Sequence, residues 1–200
     1  RVFAVGNSFS GNATHYLGDI AKAAGDTLIL GTASVGGASL ELHWSKVEAF
    51  EKDPAAEAGR YGNGKSLKEE LARAPWDFVT IQQASIRSHD VSTYRPSAKQ
   101  LHDYIKKYAP NSEVVIHQTW EYRVDDPRFA VTESKPGEPA TQEEMYRGLT
   151  NAYTTIAADV LARSLLEPMK ASLGAQMIVD NRPGAGGRIA ADLMRTSPPD

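Results

Sequence analysis

Val2-Phe3-Ala4-Val5-Gly6-Asn7-Ser8-Phe9-Ser10-Gly11-Asn12 decides how this chain is read: an apolar strand runs into a Gly-Asn-Ser turn and then a helix. Val2 to Val5 has the length and composition of a short buried strand, and Gly6 permits a tight turn. The turn delivers Ser8 to the strand's carboxyl end, beside the free N–H groups of a helix N-terminus, where developing negative charge is favoured. That environment suits a nucleophile. The plain alternative is that Ser8 merely caps the helix, a role Ser and Asn fill in any protein. Gly6-x-Ser8-x-Ser10 differs from the Gly-x-Ser-x-Gly nucleophile elbow in its last position and follows the first strand, which excludes an ordinary α/β-hydrolase.

Outward from that turn, strands alternate with helices. Tyr16, Leu17, Ile20, Ala21 and Ala24 recur at helical spacing, so Ala13 to Ala24 is expected as one amphipathic helix stopped by Gly25. Thr27 to Leu30 reads as the second strand, and Gly36-Gly37 follows it on a loop where a backbone N–H can approach a ligand closely. Helices are expected over Leu40 to Lys52, Lys65 to Ala74, Pro96 to Tyr108 and Gln142 to Ala157. Asp53 to Gly64 reads as a surface loop, and Val124 to Thr141, rich in Pro and charge, as a loop that walls a pocket. Trp76 to Ile81 and Glu113 to His117 complete the strands. Such alternation predicts a parallel α/β sheet with ligands at the strands' carboxyl edge. Ser8, Gln82 with Gln83, and His117 with Trp120 all fall on that edge. The two glutamines are expected outside the core, either donating to a bound carbonyl or tying down a loop.

Composition narrows the function classes. Of 200 residues, 41% are hydrophobic and 24% charged, ordinary values for a globular domain. With 22 basic against 25 acidic residues, the net charge of −3 gives no reason to expect a nucleic-acid partner. The absence of cysteine rules out disulfides, thiolate catalysis and cysteine-ligated zinc. No metal or cofactor motif is evident, and no apolar run approaches the roughly 20 residues of a membrane-spanning helix. The chain starts at Arg1, already within a strand, and ends at Asp200 just after Pro198-Pro199, so both ends read as cut, with room for a signal peptide lost upstream.

Together, the Gly6-Asn7-Ser8-Phe9, Val35-Gly36-Gly37-Ala38-Ser39-Leu40, Ile81-Gln82-Gln83-Ala84-Ser85 and His117-Gln118-Thr119-Trp120 blocks resemble the SGNH hydrolase superfamily, nearest a bacterial, often secreted branch with Gly-Asn-Ser-Phe in place of Gly-Asp-Ser. The resemblance covers Val2 to about Ile156 and implies a three-layer α/β/α, flavodoxin-like fold, and a periplasmic or secreted location. It implies Ser8 as nucleophile, an oxyanion hole from the N–H groups of Ser8 and Gly37 with a Gln82 or Gln83 amide, and Asn7, His117 and Trp120 as binding residues. The implied substrate is a small-molecule or carbohydrate ester, with no cofactor. One block is missing. The superfamily's Asp-x-x-His, which supplies the base and its orienting carboxylate, occurs nowhere in these residues. A serine hydroxyl without a base is a poor nucleophile at neutral pH, so activity is expected to be weak or absent.

From Asp159 the sequence changes character. Val179-Asp180-Asn181-Arg182-Pro183-Gly184-Ala185-Gly186-Gly187, with its flanks, resembles the Bug-type periplasmic receptors of tripartite tricarboxylate transporters. The expected organisation is therefore an SGNH-like domain over residues 1–157, truncated at its C-terminus, joined to a receptor fragment over 158–200. Gly184, Ala185, Gly186 and Gly187 are the candidate carboxylate-binding loop. Such a receptor closes two lobes around its ligand, and about 40 residues form a fraction of one. Two further readings stand beside the hydrolase: a carboxylate-binding fragment, and a non-catalytic domain holding a sugar through Trp44, Trp120 and Tyr122.

Overall fold

Strand β1, Val2–Gly6, lies between two parallel neighbours, with Val2 opposite both Leu30 of β2 (Leu30–Ser34) and Phe78 of β3 (Phe78–Ile81). β4, Glu113–Ile116, pairs in parallel with β3, so the sheet runs β2-β1-β3-β4. The structure, a computed structural model, describes residues 1–130 and 137–162. Parallel pairing needs a crossover after each strand, and the helical patterns supply them. Helices α1 (Ser8–Thr14) and α2 (Leu17–Ala23) link β1 to β2, α3 (Leu40–Lys52) and α4 (Leu67–Ala72) link β2 to β3, and α5 (Ser97–Tyr108) links β3 to β4. Helix α6, Gln142–Ala157, follows and runs into a π-turn at Ala158–Ala162. The architecture is an α/β fold of flavodoxin-like strand order.

The core lies on one sheet face. The register brings Phe3, Gly31, Val79 and Val114 to the same side of the sheet. Phe3 meets Trp76 there with ring centroids 5.0 Å apart. Gly31 must be small, since a Cβ would lie 2.6 Å from both the Phe3 and Trp76 rings. Helices α3, α4 and α5 pack on one another over this face. α3 buries Leu40, His43, Val47 and Phe50, one stripe at helical spacing, while Ser39 caps its start by accepting from the Leu42 N–H at 3.2 Å. Each fully buried Leu, Ile or Phe in this cluster contributes about 2 kcal/mol of transfer free energy.

The opposite face is thinner, and two expectations fail there. The single helix expected over Ala13 to Ala24 is two, broken at His15–Tyr16, and it is not amphipathic in the expected sense: α2 buries nothing, and Tyr16 and Ile20 are 65% and 62% exposed. The second strand begins at Leu30 and not Thr27, because ladder pairing with β1 defines its extent and local apolarity does not. Helices expected from Lys65 and Pro96 start slightly later, at Leu67 behind the capping box of Ser66 and Glu69, and at Ser97. The expected elements beyond residue 162, including the Gly184–Gly187 loop, lie outside the described residues.

Candidate active site at the strands' carboxyl edge

Ser8 opens α1 with its side chain exposed, as its place after β1 requires. It lines a cavity of about 290 Å³ with Asn7, Phe9, Gly37, Ala84, Ser85, Ile86, Tyr122 and Arg128. Gly37 sits at φ +67°, a left-handed conformation that costs most residues strain and glycine none. The backbone N–H groups of Ser8 and Gly37 have no hydrogen-bond partner among the described residues. Two residues with unspent backbone donors, one of them also bearing a hydroxyl, therefore line one small hollow. A larger hollow of about 400 Å³, lined by residues such as Glu121, Val124 and Tyr146, holds no comparable group.

Asn7 is 1% exposed and ties three segments together. Its Oδ1 accepts from the Phe9 N–H at 3.0 Å and from Gln82 Nε2 at 2.9 Å, and its Nδ2 donates to the Ala38 carbonyl at 2.9 Å. The last bond needs an N–H donor, which an ionised aspartate lacks. Asn7 thus caps α1 and holds the Gly37 loop against the Ser8 turn. Gly6 beneath it is tightly enclosed: a Cβ there would lie 2.8 Å from Gln82 Oε1 and closer still to Ser10 Oγ.

Gln82 and Gln83 correct the expectation that they lie outside the core, for both are fully buried. Gln82 Nε2 donates to Asn7 Oδ1 and to the Gln83 carbonyl at 3.3 Å, and its Oε1 accepts from the Ser10 hydroxyl. Gln83 Nε2 donates to the Thr93 carbonyl at 2.7 Å, while its Oε1 accepts from the N–H groups of Leu40 and Ala84. With these bonds made, neither amide is available to an oxyanion. They lock the loops that flank the cavity, the second of the two roles open to them.

All five histidines of the sequence fall among the described residues, and none hydrogen-bonds Ser8. His117 Nδ1 lies 3.5 Å from Ser10 Oγ, and burial lowers its pKa. His43 is buried under the turn between Gly6 and Tyr61, with its pKa lowered to about 4 by desolvation. His89 bonds the Gly137 carbonyl, His102 bonds Asp103, and His15 packs edge-on against Tyr16. Trp120 stands beside the site, 44% exposed and 4.4 Å from the Phe9 ring. Trp44 does not join it, since it packs against Tyr104 of α5 at 6.2 Å.

Arg128, from the loop expected to wall a pocket, was not singled out by any motif. Its guanidinium lies 4.2 Å over the Tyr122 ring, and the Tyr122 hydroxyl is 2.6 Å from that of Ser85. Among the described residues no group of three or more His, Cys, Asp or Glu is placed to hold a metal ion, and no helix is long and apolar enough to cross a membrane.

Comparison with known proteins agrees with the fold. A DUF4886 family protein from Bacteroides uniformis superposes with a TM-score of 0.66 at 28% identity, over 80% of this chain and 63% of that one. A protein from Slackia heliotrinireducens described as "a putative SGNH hydrolase" superposes with a TM-score of 0.55 at 26% identity, over 97% of this chain and 96% of that one. A 44-residue stretch, 22% of this chain, is 46% identical to 13% of the UPF0065 protein in the tcbD-tcbE intergenic region of Pseudomonas sp. strain P51. The chain thus spans under two thirds of the Bacteroides protein and a small part of the Pseudomonas one. Residues 1–171 match the family described as a domain of unknown function, DUF4886, and the chain belongs to that family.

Proposed function

We propose that this chain is an SGNH-type serine hydrolase scaffold for small-molecule or carbohydrate esters, with its chemistry impaired by the lack of a base. The observation that carries the reading is the one cavity lined by both Ser8 and Gly37, two residues whose backbone N–H groups have no hydrogen-bond partner among the described residues. In the reaction, Ser8 Oγ attacks the ester carbon as its proton passes to solvent water, and the carbonyl oxygen takes the negative charge facing those N–H groups. Re-formation of the carbonyl breaks the bond to the alcohol oxygen, which takes up a proton from solvent as it leaves. Water then cleaves the acyl-serine. The proton on Ser8 has no imidazole to receive it, because each histidine is engaged elsewhere. Turnover is accordingly slow.

Hydrolysis of p-nitrophenyl acetate tests this in three proteins: the chain itself, Ser8→Ala, and a chain with an Asp-x-x-His segment grafted after α6. Turnover that depends on Ser8 and rises in the graft supports the reading. Identical rates in the chain, the graft and Ser8→Ala overturn it.

A second reading assigns residues 159–200 to solute-receptor ancestry, supported by the 44-residue likeness to a protein of another family. It predicts carboxylate-dependent stabilisation that disappears when Gly186 is replaced by Asp. The sugar-holding reading is reduced to Trp120 and Tyr122, since Trp44 belongs to the helical layer.

A further inference from the structure

Of the nine residues lining the Ser8 cavity, Arg128 alone carries a charge. It is presented by a turn in which Asp126 Oδ1 accepts the Arg128 N–H at 3.0 Å and the Asp126 carbonyl accepts the Phe129 N–H at 2.9 Å. The guanidinium stacks on Tyr122 at 4.2 Å, and Tyr122 is itself steadied by Ser85 through the 2.6 Å contact of their hydroxyls. Stacking holds a guanidinium by its face and leaves its N–H edges free for a planar acceptor. No hydrogen bond engages those donors among the described residues. The nearest counter-charge, Asp126 Oδ1, is 3.9 Å from Nε, too far for a hydrogen bond. A pre-oriented cation with unspent donors thus borders the same hollow as the attacking hydroxyl.

We infer that Arg128 selects esters that carry a carboxylate on the acyl or sugar portion, pairing with that group while the ester carbonyl lies at Ser8. The inference rests on the hydrolase reading for which end of the ligand meets Ser8, but the anion preference itself requires no turnover. A carboxylate presents two coplanar oxygens that match the guanidinium fork, and the loss of such charge-assisted bonds lowers affinity about tenfold or more. The small volume suits one short acyl group or a single sugar ring.

The test compares binding of monomethyl succinate with neutral dimethyl succinate by NMR titration, using the full chain, Ser8→Ala, Arg128→Gln and Arg128→Lys. The mono-anion is expected to bind the chain and Ser8→Ala alike, about tenfold more weakly to Arg128→Gln, with Arg128→Lys between, while the neutral diester is indifferent to residue 128. Equal binding of the two esters, or anion binding that survives in Arg128→Gln, overturns the inference. Because Ser8→Ala cannot turn over an ester, retained anion binding in that variant separates this result from the fate of the hydrolase reading, which p-nitrophenyl acetate decides on its own. Arg128 is solvent-exposed, and matched melting curves of the variants confirm that folding is intact.

Discussion

His43 Nε2 lies 3.1 Å from the carbonyl oxygen of Gly6, directly beneath the turn that carries Ser8. A carbonyl only accepts, so Nε2 bears the proton, and Nδ1 accepts from the Tyr61 hydroxyl at 2.9 Å. The ring is fully buried and neutral, its pKa lowered from 6.5 to about 4 by desolvation. The unfolded chain binds a proton here below the ordinary histidine pKa, whereas the folded chain resists until about pH 4. Stability from this group is therefore present above pH 6.5 and lost as pH falls toward about 4, on the order of 3 kcal/mol. His117, lowered by its own burial, adds loss of the same sign. Urea unfolding near neutrality and near pH 4 measures the slope. His43→Gln is expected to remove the His43 part of it, leaving the parts due to His117 and to the carboxylates whose pKa is lowered by their partners, among them Glu51, Glu69 and Asp77.

Asn7→Asp is expected to destabilise, although it restores the residue usual in the SGNH turn. The carboxylate would be buried and would face the Ala38 carbonyl, where Nδ2 now donates. Loss of that bond with an unsatisfied buried acceptor costs about 1–3 kcal/mol, and burial of the charge adds to it. Denaturant titration at neutral pH checks the value. A variant as stable as the parent would mean that the Ala38 contact contributes nothing.

Gly37→Ala isolates backbone strain, since a Cβ there meets nothing within 4 Å but the residue sits at φ +67°. The expected cost is about 1 kcal/mol, and the expected effect on any Ser8-dependent turnover is larger because the N–H must hold its direction. Thermal melting and p-nitrophenyl acetate rates, taken on the same preparation, separate the two effects.

Ser66→Ala removes a capping box remote from the cavity. The Ser66 hydroxyl accepts from the Glu69 N–H at 3.2 Å, and Glu69 Oε2 accepts from the Ser66 N–H at 2.8 Å. The loss is expected at about 1 kcal/mol in stability, with ligand binding at the Ser8 cavity unchanged. A shift in monomethyl succinate affinity would show that α4 communicates with the site.

Where local chemistry is strong, the sequence reading and the structure coincide. α3 spans Leu40–Lys52 and α6 spans Gln142–Ala157 as the periodicity predicts, because Ser39 and Thr141 cap both starts and a continuous apolar stripe follows. The break at His15–Tyr16 was not legible, since the apolar residues keep helical spacing across it. The glutamine pair was misplaced for a related reason. A polar side chain at a strand end reads as exposed until the partners that satisfy it, Asn7, Ser10, Leu40 and Thr93, are known to surround it.

By itself, the sequence determined the alternation of strands and helices, the delivery of Ser8 to a strand's carboxyl end and the absence of an Asp-x-x-His block, all of which depend on residues close in the chain or on their plain presence. The tertiary structure decided which groups meet: Ser8 with Gly37, Asn7 with Ala38, and Arg128 with Tyr122 at the same cavity. Ser8 and Arg128 are joined by no periodicity or motif. Only the parallel packing of β1, β3 and β4, which brings their carboxyl ends to one edge, sets a serine from the first turn beside an arginine from the loop after β4.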